Sequence, residues 1–171
     1  MSKVLIIDDE SDICFLISEI LSDENFICDT ANNSNQAISK FDEFNPELII
    51  LDVWLGNSEL DGIELLEKFK DLNPLIPIVI ISGHGNVDMA VNAIKNGAYD
   101  FIEKPFNSEK LIVTSKRAIQ SALLIKENTK LKSMVSPLIP LIGHSDFITE
   151  LKKNIKKIAQ SNSRILINGP F

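Results

Sequence analysis

The sequence predicts an α/β fold: a doubly wound parallel sheet of five strands with helices on both faces. Strand-like and helix-like segments alternate five times over residues 1–107. The central strand-like segments are continuous apolar runs, as in a parallel sheet covered on both sides. Polar residues able to do chemistry stand at the carboxyl ends of these segments, where doubly wound sheets gather functional groups.

The elements follow in order. Val4–Asp8 is a short β-branched and leucine run. Asp9–Ser22 places Ile13, Leu16, Ile17, Ile20 and Leu21 at helical spacing. Phe26–Thr30 reads as a second strand, and Ser34–Phe44 as a helix through Ala37, Ile38 and Phe41, stopped by Pro46. Glu47–Val53 is a third strand, apolar on both faces. Leu60–Leu72 is helical through Ile63, Leu65, Leu66 and Phe69, and Pro74 closes it. Ile76–Ser82 is a fourth strand. Val87–Asn96 is a helix with Gly97 as its stop. Tyr99–Glu103 is a fifth strand, followed by Lys104–Pro105.

From Asn107 to about Met134 no strong helix breaker occurs. Leu111, Ala118, Ile125 and Lys132 fall seven apart, a weak heptad that Lys132 spoils. This is either a fifth helix that packs on the sheet and runs into a linker, or one that continues outward and pairs with its copy. Ser136–Pro140 is a break. A further amphipathic helix is expected over Asp146–Gln160, with Phe147, Leu151, Ile155 and Ile158 on one stripe, and a strand over Arg164–Ile167.

Composition excludes several classes. No apolar run approaches the ~18 residues of a membrane span, and no signal peptide is expected at the start. Cys14 and Cys28 form no CxxC or Cys/His cluster, so reduced thiols in a cytoplasmic protein are expected. The net charge of −7 hides an asymmetry. Residues 1–107 carry 20 acidic against 6 basic side chains, and residues 108–171 carry 4 against 11. The acidic part is no nucleic-acid binder. The basic charges are spaced along helix-like segments, as on a solvated helix face.

The chemistry rests on residues at strand ends. Asp8 and Asp9 end the first strand, Asp52 the third, Ser82 the fourth and Lys104 the fifth. Carboxylates brought close together repel one another, which a divalent cation relieves, and oxygen ligands of this kind suit Mg²⁺. An aspartate can act as a nucleophile and form an acyl phosphate. Phosphoryl transfer then needs mainly positioning and charge neutralisation, which Mg²⁺, the Lys104 ammonium and a Ser82 hydrogen bond could supply. Asp52, on the most apolar strand, is the expected nucleophile, and Asp8 and Asp9 the metal holders. Taken singly, each residue has a plainer reading. Asp8–Asp9 could cap the first helix, Asp52 and Ser82–Gly83 could open turns, and Lys104 could be surface. His84 reads as a loop residue.

Together these residues resemble the receiver domain of bacterial two-component response regulators. Its marks here are Asp8–Asp9, Asp52, Ser82 and Lys104–Pro105, with Asp61–Gly62 and Gly97–Ala98 at further matching positions. The resemblance covers residues 3–121. It implies a flavodoxin-like sheet of order 2-1-3-4-5 and phosphorylation of Asp52 by a sensor histidine kinase. It also implies Mg²⁺ held by Asp8, Asp9, Asp52 and the backbone carbonyl of Trp54, and a switch through Ser82 and Phe101. The loop from Asp52 to Gly62 is longer than in most receivers. Ser82–Asn86 and Gly97–Phe106 resemble the NtrC-like class, and the combination is most similar to its NtrX branch.

In that class an AAA+ ATPase domain follows the receiver. Ile142–Ser145 and Arg164–Pro170 resemble its opening strand and the start of its P-loop. The later P-loop Gly, Lys and Ser/Thr are absent, so no ATP binding is expected of this chain. The expected organisation is a receiver at 1–121, a linker helix at 122–136 and the truncated start of an AAA+ domain of the sigma-54-interaction type at 137–171. Homodimerisation is implied through the fourth helix, fifth strand and fifth helix, and DNA contact only through a domain beyond this chain.

Three other functions compete. An aspartyl-nucleophile phosphatase would prefer two acids separated by one residue at the first strand, whereas Asp8 and Asp9 are adjacent. A receiver-like interaction module that never uses its pocket need not keep the full acidic set. A flavodoxin-like cofactor binder would want a Gly/Ser/Thr-rich phosphate loop where Asp8–Asp9–Glu10 stands.

Overall fold

The computed structural model of the chain describes residues 1–56, 58–83, 87–135, 142–143 and 145–159. Five strands form one parallel sheet: β1 (Lys3–Ile7), β2 (Ile27–Ala31), β3 (Leu48–Asp52), β4 (Ile78–Ser82) and β5 (Asp100–Glu103). Their order is β2-β1-β3-β4-β5. Every residue of β3 and β4 is buried, as expected of central strands covered on both faces. The edge strand β2 is more open, and Ile27 at its start is exposed.

The helices α1 (Ser11–Ser22) and α5 (Ser108–Val135) cover one face. There Cys14, Ile17 and Leu21 of α1 and Leu111, Ala118 and Ile119 of α5 pack with Val4, Ile6, Ile50 and Val79. The other face carries α2 (Ser34–Phe44), α3 (Gly62–Leu72) and α4 (Val87–Lys95). Its core includes Leu5, Ile49, Ile80, Leu65, Phe69 and Ala93, and the rings of Phe41 and Phe69 meet at 4.8 Å.

Local signals set the ends of these elements. The Asn33 side chain accepts from the backbone N–H of Gln36 and caps α2. Asn45, at φ 51°, ends α2 in the left-handed region just before Pro46. Asp61 and Glu64 form a reciprocal capping box on α3. Gly97, at φ 95°, ends α4.

Helix α5 is continuous through the span expected to be a linker, as far as Val135. Among its described side chains the last buried one is Ile119, and Leu123, Leu124, Ile125 and Leu131 are exposed. A first compact unit spans Met1–Lys130, and a second begins at Leu131. Within the second, α6 (Asp146–Ile158) is capped by Ser145 and has no buried residue. The expected break at Ser136–Pro140 and the strand and P-loop-like segment at Arg164–Pro170 lie outside the described residues. So does His84. Among the described residues, no helix is long and apolar enough to cross a membrane.

One packing detail carries a prediction. The Ser115 hydroxyl on α5 is buried without a hydrogen-bond partner. A buried donor left unmade is a cost that an apolar side chain of similar size avoids, so Ser115→Ala is expected to stabilise the protein by about 1 kcal/mol. Urea denaturation should show a higher midpoint with an unchanged slope.

Candidate functional site

The order of the strands places the site. The chain passes from β1 outward to β2, then returns across β1 to begin β3. Beyond the carboxyl ends of β1 and β3 this reversal opens a crevice. Asp8 follows β1, and Asp52 ends β3. Each is preceded by fully buried apolar residues, Val4–Ile7 and Leu48–Leu51, so both carboxylates stand on rigid backbone. Asp8 is 2 % exposed and Asp52 5 %.

Asp8, Asp9 and Asp52 each offer a carboxylate oxygen within 4.8 Å of the others. Lys104 enters from the end of β5. Its Nζ donates to Asp8 Oδ2 and Asp52 Oδ2, both at 2.7 Å, and lies 3.7 Å from Glu10 Oε1. The Lys104 side chain is only 14 % exposed, so a plain surface role is excluded. Backbone amides hold three more of the oxygens. The Glu10 N–H donates to Asp8 Oδ1 at 2.9 Å, the Trp54 N–H to Asp52 Oδ1 at 3.2 Å, and the Gly56 N–H to Asp9 Oδ2 at 3.1 Å. A cavity of about 540 Å³, lined by Asp9, Glu10, Asp52, Trp54, Gly56, Gly83 and Lys104, opens above them.

Ser82 ends β4, fully buried, and its carbonyl accepts from the Lys104 N–H at 2.8 Å. It therefore fixes the backbone that delivers the lysine. Phe101 pairs in register with Ile80 and packs, half-buried, against the core under α2, α3 and α4. The helix-cap reading of Asp8 and Asp9 gives way: Glu10 is the N-cap of α1, and no side chain caps that helix. The site also contains groups the strand-end pattern did not point to, namely Glu10, Gly56 and the supports behind Asp8. The Asp8 carbonyl accepts from Asn32 Nδ2 at 3.0 Å and from the Cys14 thiol at 3.4 Å. Burial pushes that thiol up to about 11, so it is uncharged at neutral pH and serves as a donor.

Charge explains what this pocket can take. The three clustered carboxylates and the ammonium leave two negative charges, which a divalent cation balances, and the exposed Glu10 carboxylate beside them adds a third. The all-oxygen donor set suits Mg²⁺. Burial, opposed by the Lys104 hydrogen bond and the Glu10 amide and reinforced by the Asp52 charge, raises the Asp8 carboxyl above its ordinary value of 3.8. Burial works against the Lys104 ammonium, but its hydrogen bonds to Asp52 and Asp8 outweigh it and hold this group above its ordinary value.

The Asp8 shift has a definite sign. A carboxyl raised in the fold favours the protonated protein. Its stabilising contribution is full below pH 3.8 and is lost as pH rises through the raised value. At neutral pH the ionised group is a liability. Asp8→Asn is therefore expected to melt above the parent protein in metal-free buffer near neutral pH, with the advantage vanishing in acid. Its Mg²⁺ affinity should fall by more than the roughly tenfold that loss of an outer-shell partner costs. Thermal melts with a chelator and a Mg²⁺ titration check the two halves.

Comparison with known proteins bears on this geometry. Residues 4–116 match the family model described as the response regulator receiver domain. The chain is 46 % identical over 167 residues to the nitrogen assimilation regulatory protein NtrX of Azorhizobium caulinodans, covering 98 % of this chain and 37 % of that protein. Among solved structures it resembles the receiver domain of NtrX from Brucella abortus, at 47 % identity and a TM-score of 0.67, over 68 % of this chain and 98 % of that one. It also resembles the beryllofluoride-activated NtrC4 receiver domain dimer, at 40 % identity and a TM-score of 0.67, over 71 % and 99 %.

Proposed function

This chain belongs to the response regulator receiver domain family, and from that premise we propose that it takes a phosphoryl group on Asp52 and passes the event on as a change of shape. Receiver domains of NtrX and NtrC type serve two-component signalling, bind Mg²⁺ at an acidic pocket and receive their signal from sensor histidine kinases. The observation that carries the reading is the meeting of Asp8, Asp9, Asp52 and Lys104, from three strand ends, around one cavity.

In this reading a carboxylate oxygen of Asp52 attacks the phosphorus of the donor. One oxygen–phosphorus bond forms, the bond from phosphorus to the donor atom breaks, and the donor leaves with that electron pair and takes up a proton. Asp8, Asp9 and Asp52, with the Trp54 carbonyl, would hold Mg²⁺, which supplies charge neutralisation on the transferred group. Lys104, already bonded to Asp52, would follow the new negative charge onto the phosphoryl oxygens. Ser82 would donate a hydrogen bond to them, and Phe101 would repack as the β4 end moves.

The product is a modified protein, so this is an acceptor and not a turnover enzyme. Any self-phosphorylation or self-dephosphorylation is weak. The phosphoryl charge biases a pre-existing equilibrium of the loops above the sheet. Val87, Val91, Ile94, Tyr99 and Val113 are exposed on α4, the turn after it and α5, and receiver domains dimerise on activation. This face is the proposed dimer contact.

The chain spans 37 % of the NtrX relative it matches. We read 1–121 as the receiver, 122–136 as linker and 137–171 as the start of an AAA+ domain, through which a longer protein would control transcription. The test is intact-mass analysis after acetyl phosphate and Mg²⁺. One phosphoryl group, labile to hydroxylamine, mapping to Asp52 and absent with a chelator, is expected. An adduct that maps elsewhere, or none, would remove the reading.

A further inference from the structure

Among the three clustered acids, Asp9 stands apart. Asp8 and Asp52 are buried, but Asp9 is exposed on the rim. An exposed carboxylate is free to turn toward water, and ordering it costs side-chain entropy. The neighbouring loop supplies the restraint. The Gly56 N–H, 47 residues away in sequence, donates to Asp9 Oδ2 at 3.1 Å. A methyl group added at Gly56 would stand 3.0 Å from that same oxygen, so the carboxylate would have to shift by a few tenths of an ångström.

The chain is anchored on both sides of Gly56. Leu55 is buried in the core shared with α2, α3 and α4. The Ser58 N–H donates to the Leu55 carbonyl at 3.1 Å. The Ser58 hydroxyl accepts from the Ser34 N–H at 3.0 Å. Ser34 is the first residue of α2, and the N–H there has no partner inside its own helix. The Asn33 cap is engaged with Gln36. Ser58 thus satisfies an orphan donor and ties the loop to the α2 terminus.

We propose that Gly56 and Ser58 are positioning residues for Asp9: together they form a strap that turns its carboxylate inward and so raises the affinity of the acidic pocket for its divalent cation. A carboxylate has lone pairs for both an amide and a cation, and partners that orient a metal-holding group tune the affinity it delivers. The inference rests on the acidic pocket being the Mg²⁺ site.

Mg²⁺ titration calorimetry on the full 171-residue chain tests it, with chelator melts alongside. Ser58→Ala, which leaves the Ser34 N–H without this acceptor, is expected to lower the melting temperature by a few degrees and to weaken Mg²⁺ binding roughly tenfold even well below the melting range. Ser58→Thr, which keeps the acceptor, should restore it. Gly56→Ala should weaken binding at least as much as Ser58→Ala. Parent-like affinity in both Ser58→Ala and Gly56→Ala, beside a loss in Asp9→Asn, would overturn the strap alone. A weakening that follows the melting temperature and is not rescued by threonine would also overturn it. Parent-like affinity in Asp9→Asn would overturn the acidic-site reading and the strap with it.

Discussion

Asp52→Asn is expected to take up no phosphoryl group under conditions that saturate the parent protein. The change keeps the shape of the side chain and removes its nucleophile, since a neutral amide neither attacks phosphorus nor forms an acyl phosphate. The other two carboxylates do not substitute. Asp8 is 2 % exposed and is not among the residues that line the cavity. Asp9 is held at the rim by Gly56. Only Asp52 ends a strand whose residues are all buried and lines the cavity where a donor can enter. Intact mass after acetyl phosphate and Mg²⁺ should show one added phosphoryl in the parent and none in the variant. An equal adduct in the variant would end the assignment.

Gly62→Ala is expected to give the largest loss of stability. An added methyl at Gly62 would lie 2.1 Å from the Asp52 carbonyl oxygen, 2.6 Å from the Val53 Cα and 2.9 Å from the Val53 carbonyl oxygen. All three are backbone atoms at the exit of a central strand, so no side chain can swing away. Overpacking commonly costs 1–3 kcal/mol, and a rigid neighbour puts this case at about 3 kcal/mol or above. The Gly62 N–H also donates to the Val53 carbonyl at 2.9 Å, which fixes the start of α3 against the end of β3. Urea denaturation should show the loss, and phosphorylation of the folded fraction should slow because the displaced backbone carries Asp52. Gly83→Ala is the contrast, since among the described residues its methyl would meet only the Lys104 side chain, at 3.9 Å. It should unfold like the parent.

Much of this was legible in the sequence because parallel sheets write themselves plainly. The runs Leu48–Leu51 and Ile78–Ile81 are apolar without alternation, and both prove wholly buried. A polar residue that interrupts such a run must sit at its end, so Asp52 and Ser82 could be set at the sheet rim. Boundaries were harder to place, for local reasons. Ile76 looks like strand, yet its N–H turns back to the Asn73 carbonyl and the strand starts at Ile78, after Pro77. Apolar spacing alone starts α3 at Leu60, whereas Asp61 with Glu64 three residues on forms the capping box and the helix begins at Gly62.

Viewed alone, Lys104 passes for surface; its place at a strand end groups it with Asp8 and Asp52, and it proves bonded to both, 96 and 52 positions away. Other long-range partners were not legible. The Gly56–Asp9 contact and the buried Ser115 hydroxyl depend on how separate segments pack. Periodicity carries no record of either.

The lysine that spans two acids has a consequence for the ionic environment. It is a counter-ion on a leash. Dissolved sodium or potassium can be diluted or raised at will, but this cation has a fixed local concentration set by its own chain. Between Asp8 and Asp52 a dissolved monovalent ion must therefore compete with a cation that never leaves. The negative charge that remains is greater than one such ion neutralises, so the pocket should favour a divalent ion over alkali ions by charge.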